Sequence, residues 1–452
     1  MRLTKVLCKQ HIGFMFKKNW VYQGKRVPVE HGVDYIKSTG IEVLDAVKFV
    51  EEKFSPINYK PVGMVDPPPP RDHTHPDWKE TECHIYNEKN ALLEALKQAQ
   101  VLTKTVIIED TLPEVIEDAA RIPQPDEVHS QVKKAILMAN VFDCEQTRLP
   151  KIKDPLRPAY NFARILGIGD IRKNIITTNR LLTILEKNSD GIAKERFISR
   201  DPDIVTSFEK DGDLFQFQFK SDVLLTSTKP LKPAIRNLET LKEEQIPDLY
   251  PVHHTISIAK YNFYEFEDIY PIEEGIKSYH PHTTFLHYNK SQVKNLHGSM
   301  VSEDQVLGRG LIHSFTIASA YAKTLYGKDV TLLPKPVTIQ CVQSDGCNFY
   351  LGVLQLNNLD LNGNEGTKNV WYKAPIMKLY EISGYSKAIP VLEGYNPEVY
   401  NYLHFLLRHR SLIFILWWGR VCGAHSGMLR LFCQSTALAV SRFSTEVPLG
   451  NW

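Results

Sequence analysis

Between residues 302 and 356 the chain changes its apolar period from that of a helix to that of strands, and this change fixes the fold class. Ser302 and Gln305 have the spacing of a capping box, with Glu303 and Asp304 at the positive end of the helix they open and Gly327 as its stop. Residues 336–343 and 348–356 then form two apolar runs joined by Ser344-Asp345-Gly346-Cys347, whose Asp-Gly pair supplies the positive φ of a tight hairpin turn. A capped helix of about 24 residues beside such a hairpin predicts an α/β architecture of the α+β type. In it, a mixed sheet with a late β-hairpin packs against several helices.

Other segments fit this frame. Residues 87–105 and, more weakly, 129–142 carry apolar groups at helical spacing, and 156–188 does so in blocks broken by Gly167 and Gly169. Residues 214–225 alternate Phe215, Phe217 and Phe219 with Gln216 and Gln218, the pattern of a half-buried strand. The aromatics of 261–270 are shared with three acids and read as a strand or its edge rather than a stacking platform. A helix over 397–407 closes the body.

Charge divides the chain into domains. Residues 1–29 carry seven Lys or Arg and no acid, interleaved with apolar groups, as in a mitochondrial transit peptide; a basic arm retained for contact with RNA is the alternative. Residues 30–80 are expected to be an extended Pro-rich arm, since seven prolines fall between 56 and 76 and fix φ repeatedly. Residues 81–408 form one α/β body. The tail 409–452 has a single acid and an aperiodic apolar run too short to span a membrane, and is expected to be aberrant or disordered.

Of the chain's 54 basic and 52 acidic residues, 43 and 51 fall within 30–408. An acidic body argues against a free-standing nucleic-acid binder, which needs a cation for each phosphate contact. The seven cysteines are scattered with no C-x-x-C pair, which favours reduced thiols and gives no zinc site; Cys341 and Cys347 flank the hairpin turn and have the spacing to face each other across it.

Chemistry is hard to find. The sequence holds no phosphate-binding loop, dinucleotide turn, zincin helix or hydrolase elbow. His73 and His75, His253 and His254, and His280, His282 and His287 have spacings compatible with metal ligation, yet histidines in such loops usually serve packing, so no metal, cofactor or catalytic residue is assigned. A metal-dependent hydrolase or nuclease using these clusters with Asp345 or Asp360 is the enzyme alternative. His73, His75 and Trp78 would give the arm anchoring groups. In the turn-rich loop 357–369 and just beyond it, Lys368, Asn369 and Trp371 are candidate contacts to RNA or protein, because loops carry binding more often than framework does.

The runs QAQVLTKT (98–105), HTHPDW (73–78) with Cys83 downstream, IASAYAKTLYGKD (317–329) and PVTIQCVQSDGCNFYLGVLQLNNLDLNGNEGTKNVW (336–371) resemble a family: mitochondrial large-subunit ribosomal protein thirty-seven, shared with programmed cell death protein nine. The resemblance spans about residues 70–408 and is strongest after Ser302. It implies a structural, non-catalytic constituent of the mitochondrial ribosome in the matrix, supporting translation by packing against large-subunit rRNA and neighbouring ribosomal proteins, including the sibling family member. It implies no membrane span, cofactor or small-molecule substrate. A mitochondrial RNA-binding factor outside the ribosome is the remaining alternative, and the acidic body weighs against it.

Overall fold

The computed structural model describes residues 33–44, 46–48, 74–75, 80–151, 154–157, 162, 164–189, 194–262, 268–272, 279–295, 298–387 and 389–408. The leader 1–29, the prolines of 56–70 and the tail 409–452 lie outside the described residues. Two compact units divide the chain, 1–70 and 71–452. In the first, α1 (Val33–Ser38) ends where the Ser38 and Thr39 hydroxyls donate to the carbonyls of Tyr35 and Ile36, and Gly40 turns the chain at φ +81°. The stretch expected to be extended therefore contains a helical turn.

The second unit opens with β1 (Glu82–Asn87), α2 (Ala95–Thr103) and β2 (Thr105–Ile108). Helices α3 (Glu114–Ala120) and α4 (Asp126–Leu137) follow, and α4 runs on as a π-helical turn over Met138–Phe142. A short pair, β3 (Thr147–Arg148) and β4 (Leu166–Gly167), precedes α5 (Asp170–Lys187). Then come β5 (Arg196–Arg200), β6 (Asp203–Lys210), β7 (Asp213–Lys220), β8 (Val223–Ser227), α6 (Thr240–Glu243), β9 (Ala259–Asn262) and β10 (His280–His287). The last part holds α7 (Glu303–Tyr326), β11 (Leu332–Ser344), β12 (Asn348–Asn358), β13 (Asn369–Lys373), β14 (Met377–Lys378), β15 (Ile382–Ser386), β16 (Ile389–Glu393) and α8 (Pro397–Arg408).

The main sheet has eight strands in the order β2-β13-β12-β11-β10-β8-β5, with β14 paired to β12. It is mixed: β10 with β11 and β13 with β2 are parallel, the other pairs antiparallel. A second sheet has four strands in the order β6-β7-β1-β9, with β1 and β7 parallel. Along the main sheet the side chains alternate between two cores, as a two-residue period requires. Leu224, Leu286, Ile339, Cys341 and Leu354 face α7, whereas Val223, Leu225, Phe285, Val342, Leu351 and Val353 face the cluster that holds α3, α4, α5 and α8.

Helix α7 lies between the two sheets, touching β6 and β7 on one side and β10, β11 and β12 on the other. This explains why every residue from Gln305 to Ala322 is buried: a helix covered on all sides has no solvent face to be polar on. Its start is the expected capping box, with Ser302 Oγ accepting from Gln305 N at 3.3 Å and Gln305 Oε1 accepting from Ser302 N at 3.0 Å. Gly308 sits where α7 crosses α2; a Cβ there would come within 2.9 Å of the Ala95 carbonyl oxygen, which is backbone and cannot yield.

Inside this helix His313 is fully buried, packs tilted against Phe219 with ring centroids 3.8 Å apart, and has neither ring nitrogen hydrogen-bonded among the described residues. Burial, helped by the charge of Arg309, holds its pKa well below the ordinary 6.5. The folded protein thus keeps His313 neutral while the unfolded chain takes up a proton below pH 6.5, so stability present at neutral pH is lost as pH falls. His313→Leu removes two unsatisfied polar atoms and is expected to stabilise the fold by about 2 kcal/mol at pH 7.5. Its advantage should widen below pH 6.5 by up to about 1.4 kcal/mol per unit. Denaturant unfolding between pH 5.5 and 8 measures this, and a pH-independent difference would contradict it.

Candidate functional site

The π-helical turn that ends α4 throws the chain outward at Asp143, and α5 brings it back at Gly169. Arg172, in the first turns of α5, clamps the base of this excursion. Its Nη2 donates to Asp143 Oδ1 at 3.0 Å, its Nε to the other oxygen of the same carboxylate, and its Nη1 meets Glu145. The guanidinium holds the Asp143 carboxyl below the usual carboxylate range. Above the clamp, β3 and β4 pair antiparallel, with Thr147 opposite Gly167, and Leu149 N donates to Ile165 O at 2.9 Å. Gly167 leaves room for the Leu149 side chain, whose Cδ1 would stand 2.8 Å from a Cβ there. Farther out, Asp154 accepts from Leu156 N at 3.0 Å and from Arg157 Nε at 2.9 Å, which fixes a turn.

The result is an arch with a stiff base and a surface of unusual composition. Leu156 is 91% exposed, Ile165 and Leu166 are each 62% exposed, and Phe142 and Phe162 are also open. Between Thr147 and Ile168 the sequence has Arg148, Lys151, Lys153, Arg157 and Arg164 against Asp154 alone, so the arch is locally positive within an acidic body. Arg148, Lys151, Arg157 and Arg164 are exposed. Guanidinium groups beside open aromatic and aliphatic side chains can pair with phosphate while covering a base or an apolar surface. Sequence reasoning missed this arch because 156–188 was assigned to helical blocks; a local charge count would have found it.

The residues chosen from sequence fall elsewhere. His73 and Trp78 lie outside the described residues, and His75 is half-buried. Lys368, Asn369 and Trp371 are a correction to the surface reading: all three are at most 2% exposed. Lys368 Nζ donates to the Lys242 carbonyl at 2.9 Å and so caps the carbonyl end of α6. Two further buried lysines approach the same loop, Lys104 Nζ donating to Asn362 O at 2.7 Å and Lys210 Nζ to Leu361 O at 2.6 Å. The loop 357–369 turns its carbonyls inward onto cations, and its ordering is internal.

The histidines of β10 do not converge with Asp345 or Asp360. On β10, His280 meets Tyr321, His282 meets Arg196 and His287 meets Thr178. Asp345 Oδ1 accepts from Cys347 N and Asn348 N at 2.9 and 2.7 Å, and Asp360 accepts from Asn362, so both carboxylates serve turns. Cys341 is opposite Gly352 in the ladder rather than facing Cys347, and burial pushes its thiol up to about 12.

The mixed sheets, the enclosed helix and the exposed arch define an α+β protein whose open apolar and basic groups meet on one surface feature. No family model matches the chain. Curated relatives do. The large ribosomal subunit protein mL37 of Gallus gallus is 28% identical over 318 residues, 70% of this chain and 69% of the relative. That of Bos taurus is 28% identical over 356 residues, 73% and 77% of the two chains, and that of Rattus norvegicus 26% over 376 residues, 80% and 83%. The chain is thus similar to mL37 proteins of several vertebrates over 66–80% of its own length.

Proposed function

We propose that this protein is a non-catalytic constituent of the large subunit of the mitochondrial ribosome and supports translation there by packing against rRNA and neighbouring ribosomal proteins. The observation that carries the reading is the shared name of its relatives, aligned over 67–83% of their own lengths. Residues 1–29 serve as the leader that directs the chain to the matrix, residues 30–80 as an arm that reaches a neighbour, and the sibling family member is among the adjoining proteins. His73, His75 and Trp78 anchor the arm. Among the described residues no helix is long and apolar enough to cross a membrane.

The arch is the RNA contact of the body. Phosphate contacts position a protein on RNA, and exposed aromatic and guanidinium planes receive its unstacked bases. This reconciles a net acidic body with an RNA-rich particle: the positive charge is concentrated where it is used.

In gradient fractionation of mitochondrial lysate the wild-type protein is expected to travel with the large subunit; migration apart from it at physiological salt would end the proposal. Arg148→Glu, Arg157→Glu and Arg164→Glu combined should leave the circular dichroism intact and cut incorporation at least about tenfold, equivalent to ~1.4 kcal/mol. RNA crosslinks within 147–168 should disappear in the same variant. Unchanged incorporation and crosslinking would remove the arch from the interface.

A further inference from the structure

Asp213 begins β7, and Gly212 turns the chain into it at φ +86°. Two histidines from the loop before β9 meet this carboxylate: ligand atoms of Asp213, His253 and His254 all lie within 4.8 Å of one another. His254 is 7% exposed, and its Nε2 points at Asp213 Oδ2 from 3.9 Å, too far for a hydrogen bond, so this buried nitrogen has no partner among the described residues. The other carboxylate oxygen, Oδ1, faces His84 Nε2 of β1 at 4.0 Å, and His84 in turn stacks on Phe215.

The loop bearing the two histidines is held from behind. Gln98, fully buried on α2, donates through Nε2 to the carbonyls of His254 and Ile256, both at 2.8 Å, and Ser257 Oγ accepts from Leu93 N at 3.1 Å. Thr255 Oγ1 lies 2.9 Å from Nδ1 of His253 and fixes that ring. Lys210 is already occupied by Asp211 at 3.2 Å and by the Leu361 carbonyl. Fixed ligands with an ordered outer layer are what a metal centre needs beyond the ligands themselves.

We propose that Asp213, His253 and His254 form a binding site for a divalent cation of the zinc type, with His84 as a positioning residue on the carboxylate and solvent completing the coordination on the exposed His253 side. Nitrogen and oxygen ligands at 2.0–2.2 Å around a tetrahedral ion stand about 3.3 Å apart. The 3.9 Å between His254 Nε2 and Asp213 Oδ2 closes to that by a small side-chain adjustment. The site joins the 253–257 loop to the four-stranded sheet, so the ion acts on stability. The histidine pair is visible in the sequence, but its acid stands 40 residues away and only the fold unites them.

The test uses the purified full-length chain, stripped with a chelator and titrated with Zn²⁺ alone by calorimetry. One equivalent is expected to bind with a Kd on the order of 1 μM or tighter, and saturating Zn²⁺ should raise the melting temperature. Asp213→Asn and His253→Ala, both at partly or fully exposed positions, should each weaken binding at least tenfold and abolish the thermal shift. His280→Gln, a histidine outside the cluster, should change neither. Absence of saturable binding to the folded wild-type chain, or binding that survives both Asp213→Asn and His253→Ala, would overturn the proposal.

Discussion

Asn369→Ala is expected to cost the protein about 4 kcal/mol of folding stability, at roughly 1 kcal/mol for each of four backbone groups left unpaired in the interior. The side chain, fully buried, satisfies its whole hydrogen-bonding capacity on backbone. Its Oδ1 accepts from Asn357 N at 2.8 Å and Asn358 N at 3.0 Å; its Nδ2 donates to Thr103 O at 2.9 Å and Asn358 O at 3.0 Å. It ties the end of α2 to both ends of the 357–369 loop. Asn369→Asp keeps the acceptors, loses both donors and buries a charge, so it should be no better than alanine. Urea unfolding measures both; a loss under 1 kcal/mol for alanine would show that the loop is held by its lysines instead.

Gly352→Val should be comparably damaging. Gly352 lies in the middle of β12, where glycine is otherwise unfavourable, and a Cβ there would fall inside the indole of Trp371. Trp371 is 2% exposed and belongs to the core around α7. Overpacking of this kind costs about 3 kcal/mol. Combining Gly352→Val with Trp371→Leu should recover part of that loss, a positive coupling within the range of about 0.5–3 kcal/mol seen for touching residues. Thermal melts of the two single variants and the double variant decide it; strict additivity would mean that the glycine answers to another constraint.

These two sites show where sequence reading stops. The cap of α7, the Asp-Gly hairpin and α8 were all legible, because caps, turns and periodicity are local signals. Residues 214–225 were read as one strand, but β7 and β8 belong to different sheets; the break at Ser221 and Asp222 carries no Gly or Pro to announce it. The helix expected over 87–105 begins only at Ala95, which itself adopts φ +49° where α7 crosses at Gly308. Lys368 and Asn369 were placed on the surface because polar loops usually are there. Here the carbonyls of the loop face inward, and the buried ammonium groups of Lys104 and Lys210 are tolerated because they donate to those carbonyls. The arch was hidden for the opposite reason: summing charge over residues 30–408 diluted a local excess. In the Asp213 cluster only the His253-His254 pair was local; the carboxylate, 40 residues away, was not.

The enclosure of α7 by two sheets has a consequence for how the molecule comes into being. All four strands of the four-stranded sheet, β1, β6, β7 and β9, precede α7, and β2 waits for β13, which lies 264 residues later in the ladder pairing of Thr105 with Asn369. A polypeptide delivered amino end first therefore carries Phe215, Phe217 and Phe219 with nothing to close over them until the final third arrives. Long-range pairing of this kind is slow and leaves sticky surface exposed meanwhile. A prefix that stops before α7 should therefore fail to form a stable body, and limited proteolysis of such a truncated chain should find it open to cleavage.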